Sequence, residues 1–219
     1  MINPSFTRGE YWLLETVAEL ATPICWLESE NIEELLNKKG HGMSRILLVD
    51  TLHKLFLDGL IIAHRGDDWN ESCVLEPEQI KAALEERDAL HEIQKRQYYG
   101  FTKKGGEYWE AFAAPNWNYY IDCGFELPED DNEDMWLGEL ICMTKEHLER
   151  YFKSLQHCQY DINTKTVEWD FLKPWKATYW KELPIGHRVR FRCKEKEVMI
   201  DQSCSHDRLW YEKLWCRWK

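Results

Sequence analysis

The stretch Tyr98-Tyr99-Gly100-Phe101-Thr102-Lys103-Lys104-Gly105-Gly106-Glu107-Tyr108-Trp109-Glu110 decides how the first half of the chain is read. The aromatic residues before Thr102 suit the pleated, half-buried surface of a strand. The Thr102 hydroxyl is placed to satisfy the free backbone N–H groups of a helix opening at Lys103. The segment therefore reads as a strand that runs directly into a helix.

Working upstream, Thr7-Arg8-Gly9-Glu10 has the spacing of a capping box. Tyr11, Leu14, Ala18 and Ala21 follow at helical spacing with Val17 beside them, and Thr22-Pro23 is the expected stop. Ile24 to Leu27 reads as extended. A second helix is predicted over 32–38, with Asn31 as its cap and Glu34 three residues on. Gly40-His41-Gly42 makes a turn, Ser44 caps a third helix that ends at Asp58-Gly59, and Leu60-Ile61-Ile62-Ala63 has strand character. Helix, helix, glycine turn, helix, strand is the order of a helix-turn-helix unit with a wing behind it.

With that order in place, the 98–110 stretch resembles the second wing strand and following helix of the bacterial MarR and PadR groups. Their Leu-Thr-x-x-Gly pattern is matched here by Phe101-Thr102-Lys103-Lys104-Gly105. The resemblance covers about residues 5–115 and implies a winged helix-turn-helix domain over 1–118; it implies a fold and not an activity. Two features depart from it. An insert of about thirty residues precedes Tyr98, most of it (78–97) reading as a polar helix with Ile80, Ala83, Leu84, Leu90 and Ile93 on one side. The third helix, which would enter the major groove, carries two cations, two Asp, one Thr and one His between Arg45 and Asp58. Base readout and phosphate contact both favour Arg, Lys, Asn and Gln. DNA binding is thus disfavoured, with Arg45, Lys54, Lys103 and Lys104 as the residues that would carry it.

Charge divides the chain further. The net −11 over 219 residues splits into −8 for 1–121, −8 for 122–168 and +5 for 169–219, and the last segment also holds six of the twelve Trp. An acidic body thus precedes a basic, aromatic tail. No apolar run reaches the ~18 residues of a membrane span, the first residues lack a signal-peptide pattern, and eight scattered Cys suit a reducing compartment, so a cytoplasmic protein is expected.

Residues 119–219 read as a small α+β module, which makes the whole chain α+β. Pro128 opens an acidic loop with five carboxylates between Glu129 and Asp134 that lacks the spacing of a calcium-binding loop. Leu140 to Met143 reads as a buried strand. Thr144 opens a helix to His157 with Leu148, Tyr151, Phe152 and Leu155 as its inner face. A hairpin is predicted from Gln159–Ile162 and Thr166–Phe171 around Asn163-Thr164-Lys165. The stretch around Trp175 and Trp180 is too aromatic for an ordinary loop. From His187 the pattern alternates, with Val189, Phe191 and Cys193 on one face and Arg188, Arg190, Arg192 and Lys194 on the other. A short strand over 198–200 and a closing helix over 207–218 complete the reading.

No nucleotide-binding, hydrolase or metalloprotease motif occurs, and His157, Cys158, Cys193, Cys204 and His206 match no zinc spacing. No catalytic residue, cofactor or metal is therefore expected. Trp, Tyr and Arg dominate interface hot spots, so the expected role is recognition of a protein, in the manner of an inhibitor or immunity protein. Arg188, Arg190, Arg192, Trp175 and Trp180 are the candidate contacts. The alternative is a DNA-binding regulator, and pairing of two copies is left open.

Overall fold

The computed structural model describes residues 5–36, 38–66, 68–86, 96–127 and 135–196. The acidic residues 129–134, the strand expected over 198–200 and the helix expected over 207–218 lie outside the described residues.

The chain is α+β. Its first half contains α1 (Arg8–Thr16), β1 (Thr22–Pro23), a 3₁₀ turn (Ile24–Glu28), α2 (Ile32–Leu36), α3 (Arg45–Leu57), β2 (Ile61–Arg65), β3 (Asp68–Cys73), α4 (Pro77–Leu84), β4 (Gln97–Phe101) and α5 (Lys103–Ala113). The four strands form an antiparallel sheet in the order β1-β4-β2-β3. Three caps read from sequence are present. Thr7 and Glu10 form the capping box of α1, Ser44 accepts the Leu47 N–H, and Thr102 accepts the Gly105 N–H at 3.0 Å. The Thr102 hydroxyl also donates to the Gly59 carbonyl at 2.6 Å, which ties the start of α5 to the end of α3. Gly105 is required because a Cβ there would collide with the Leu60 backbone.

Several boundaries differ from expectation. α1 stops at Thr16, not at Thr22-Pro23, and the 24–27 segment is a 3₁₀ turn, the extended pair being Thr22–Pro23. Of the predicted 78–97 helix the described residues show α4, which buries Ile80, Ala83 and Leu84, while the Leu90 and Ile93 expected beside them lie outside the described residues. The last turn of α1 is held by a buried ion pair. Lys38 donates to Glu15, to the Trp12 carbonyl at 3.1 Å and to the Thr16 hydroxyl at 2.9 Å, and it sits 4.1 Å over the Trp12 ring.

The second half contains β5 (Ile121–Glu126), β6 (Trp136–Cys142), α6 (Lys145–Cys158), β7 (Tyr160–Ile162), β8 (Glu168–Leu172), β9 (Trp175–Lys176), β10 (Glu182–Leu183) and β11 (Gly186–Glu195). The expected β7–β8 hairpin does not form. Both strands pair with β11, β7 with Cys193–Glu195 and β8 with Gly186–Arg190, so they run end to end along one edge. The 3₁₀ turn between them is fastened to β11 by Asn163 N–H to the Arg192 carbonyl and Arg192 N–H to the Thr166 hydroxyl, both 2.9 Å. On its other side β11 pairs with β6, and β6 with β5. Leu148, Phe152 and Leu155 of α6 pack on Leu140, Cys142, Val189, Phe191 and Cys193; Tyr151, expected on that inner face, is exposed.

The two halves share a core. Ile141, Trp175, Ala177 and Leu183 belong to the same buried cluster as Leu13, Leu52, Phe101 and Trp109, so hydrophobic packing continues across residue 118. Between β9 and β10 the chain makes a turn that enters the first half. Tyr179 donates its hydroxyl to the Val17 carbonyl at 2.8 Å and accepts the Phe101 N–H at 2.6 Å. Trp180 donates its indole N–H to the Ala18 carbonyl at 2.9 Å. Lys181 reaches Glu110, which also accepts the Trp117 indole N–H. The carbonyls at the end of α1, which a longer helix would have used internally, are thereby satisfied by residues far along the chain. A side chain at Gly106 would collide with the Trp180 ring, and one at Gly100 with Trp69 and Tyr179.

Candidate functional site

The four residues of the DNA-binding alternative fall on and around α3. Arg45 bridges Glu28 at 2.5 Å and Glu85 at 2.6 Å, closing the α3 start against the 3₁₀ turn and the end of α4. Lys54 lies 2.8 Å from Glu10 and 2.7 Å from Asp58. These bonds hold the Lys54 ammonium above its ordinary range. Burial alone would raise Glu10, but the Lys54 bond, together with the Thr7 N–H and hydroxyl, holds it below its own range. Lys104 donates to the Asp58 carbonyl at 2.6 Å, and Lys103 is exposed. Three of the four cations are therefore engaged by carboxylates or a carbonyl of their own chain.

α3 also presents large apolar side chains outward. Leu48, Val49, Thr51, Leu52, Leu55 and Phe56 fill the core, while Ile46, Asp50, His53 and Leu57 recur along the opposite side at i, i+4, i+7 and i+11 with Leu47 beside them. Ile46 is 76% exposed, Leu57 66% and Leu47 53%. At the N-terminal end of α3 a concavity of about 450 Å³ opens between Leu27, Glu28, Ile32, His41, Met43 and Arg45. His41 is fixed there: Nδ1 accepts the Met43 N–H at 2.9 Å, so Nε2, 2.8 Å from the Leu27 carbonyl, carries the proton. Around this surface lie the carboxylates of Glu28, Asp50, Asp58, Glu76 and Glu85, on the elements that border α3 or on α3 itself.

The residues expected to face a protein partner are placed differently. Arg188 pairs with Asp170 at 2.6 Å and Glu139 at 3.4 Å, and Arg190 with Glu168 at 3.1 Å and Asp170 at 3.6 Å. Asp170 is held below the usual carboxylate range by the Arg188 hydrogen bond. Arg192 and Lys194 share that sheet face, with Leu137 and Asp161 opposite them on the flanking strands. The basic row thus has Asp170, Glu168 and Asp161 along one side and Glu139 between Ile141 and Leu137 on the other, a ladder of cross-strand pairs. Trp175 is 2% exposed and lies in the shared core, and Trp180 is partly buried against Phe101, Trp109 and Trp117. Neither tryptophan is a surface anchor.

The apolar outer face of α3 was not singled out from sequence, although a signal exists. Eight of the thirteen residues in Arg45–Leu57 are apolar, more than one core-facing stripe accommodates. Among the described residues no three His, Cys, Asp or Glu side chains cluster as metal ligands, and no helix is long and apolar enough to cross a membrane. No family model, curated protein or solved structure matches the chain.

Proposed function

We propose that this chain is a protein-recognition module in the manner of an inhibitor or immunity protein. In this reading its first half is a winged-helix scaffold whose third helix has exchanged DNA for a basic protein surface. The scaffold reading is supported by the element order and by the sheet order β1-β4-β2-β3, in which β2, the first strand after α3, pairs on one side with β3 and on the other with β4, the strand leading into α5. The partner reading is carried by one observation: the outer face of α3 is Ile46, Leu47 and Leu57 around Asp50, with the adjacent cations already neutralised. Phosphates would meet Arg45 and Lys54 already paired with carboxylates and would approach an acidic half of the molecule. A protein partner with apolar anchors and a basic rim meets apolar surface at the centre and carboxylates around it, the arrangement of a recognition interface.

The test compares two surfaces of the full chain. Wild-type protein, an Ile46→Asp/Leu57→Asp variant and an Arg190→Glu/Arg192→Glu variant are immobilised, and bound proteins are identified after washing at about 300 mM salt. The proposal expects a basic protein retained by wild type and by the arginine variant and lost from the α3 variant. Retention by the α3 variant overturns it. So does a duplex-DNA shift at about 50 mM salt that weakens steeply as salt rises, which is the behaviour of the regulator alternative.

A further inference from the structure

The five-stranded sheet ends on β5, whose outer edge has no strand beside it among the described residues. Unpaired edges are normally blunted by shortness, bulges, Pro or Lys. Of the other borders of the two larger sheets among the described residues, three are short or irregular, and the fourth, β8, runs five residues along β11 and leads straight into Lys173-Pro174. β1 has two residues and β7 three, and β3 is polar, with a register shift in its pairing to β2. β5 is different. Its six residues run in unbroken register along β6, from Ile121 opposite Cys142 to Glu126 opposite Leu137, and contain neither Lys nor Pro. Ile121, Cys123 and Phe125 share the face covered by α6, while Asp122, Gly124 and Glu126 share the other.

We propose that β5 is a self-association edge. Two copies of the chain pair there antiparallel about a two-fold axis, with the Cys123 residues of the two copies opposite one another, and join their sheets into one. The occupant follows from the symmetry of the edge and its charges. A two-fold axis normal to the sheet keeps each residue on its own face, so residues of equal parity must face each other. Centring the pair on Asp122 sets two carboxylates opposite, and centring it on Gly124 sets Asp122 against Glu126 twice; directly opposed like charges are destabilising. Centring on Phe125 carries Asp122 beyond the end of the partner strand and leaves Ile121 unpaired. Centring on Cys123 places Ile121 opposite Phe125 twice and Asp122 opposite Gly124 twice, where the space around Gly124 is open. Glu126 then faces Tyr120. The same register brings Leu127 of each copy toward the turn bearing Tyr119 of the other, and both of these side chains are exposed in the single chain.

The pairing joins two molecules of net charge −11, so added salt strengthens it by screening their repulsion. Salt weakens a contact between opposite charges. This distinguishes the edge from the α3 surface, on which the proposal does not rest.

Sedimentation of the full chain from about 1 to 100 µM, at about 50 and 300 mM salt, is the first measurement. A dimer that tightens with salt is expected, and Cys123→Lys weakens it on the order of tenfold or more by opposing two ammonium groups. Register is read separately by mild diamide oxidation. Wild type gives a reducible dimer that Cys123→Ser does not. A mixture of Cys123→Ser/Asp122→Cys with Cys123→Ser/Gly124→Cys cross-links between the two variants faster than within either. Thermal melts of each variant confirm folding. A monomer at 100 µM in high salt, or a dimer indifferent to Cys123→Lys with no cross-link at residue 123, overturns the proposal.

Discussion

The turn at Tyr179-Trp180 and the outer face of α3 are both rich in large apolar groups, and the molecule treats them in opposite ways. The turn is inserted between α1, β4 and α5, where each polar handle finds a backbone partner: the Tyr179 hydroxyl at Val17 and Phe101, the Trp180 indole at Ala18. The Ile46, Leu47 and Leu57 side chains of the α3 face, which have no polar atoms to satisfy, stay in water. A concentration of tryptophan is therefore no sign of a partner surface here. The N–H of an indole makes it well suited to close an open helix end inside the fold, whereas bare aliphatic side chains on a charged surface are the better sign that something else covers them.

The contrast can be broken most forcefully at Trp180. Trp180→Ala removes a ring packed on Gly106 and leaves the Ala18 carbonyl unpaired, and a loss of about 3 kcal/mol in urea unfolding is expected. A loss below about 1 kcal/mol would mean that the turn is peripheral. Tyr179→Phe keeps the ring and removes the hydroxyl that bridges Val17 and Phe101, with an expected cost of about 1–2 kcal/mol. The α3 face should behave in the reverse sense. Ile46→Asp/Leu57→Asp is expected to alter stability by no more than about 0.5 kcal/mol, and a large loss would show that these residues are structural. The smallest effect concerns Lys54→Met. Glu10 is held below its unfolded value near 4.5, so the Lys54 pair contributes stability above that pH and loses it as the carboxylate protonates in acid. The variant should be less stable than wild type at pH 7 by under about 1 kcal/mol, since Lys54 is exposed, and the gap should close as pH falls below 4.5 and through the lowered folded-state value of Glu10.

Local chemistry was legible in the sequence wherever the partner lay within a few residues. Thr7 with Glu10, Ser44 and Thr102 each caps the helix it precedes, and the alternation in β11 puts Val189, Phe191 and Cys193 inside as its period requires. Errors arise where a distant segment decides. α1 ends early where Tyr179 and Trp180, 162 residues on, take its carbonyls. β7 and β8 carry a good turn between them but pair with β11 instead of each other, because the longer strand offers both a continuous partner and lets Tyr160, Ile162 and Val167 pack on the α6 cluster, while Trp169 and Phe171 stay exposed. The arginine row was visible as a pattern, but the Asp170, Glu168 and Glu139 that neutralise it lie on flanking strands whose register no local rule supplies.

The long reach of the Tyr179-Trp180 turn has a consequence for how the protein is made. During synthesis the first 118 residues emerge with the end of α1 open and the surface around Gly100 and Gly106 uncovered, and they stay so until residue 180 leaves the ribosome. Contacts of such sequence separation form late, and the waiting intermediate exposes apolar surface that favours aggregation. A fragment cut at residue 118 is thus expected to be poorly soluble alone and to be rescued by co-expression with 119–219, so the segment that looks most like a familiar stand-alone fold depends on the segment that follows it.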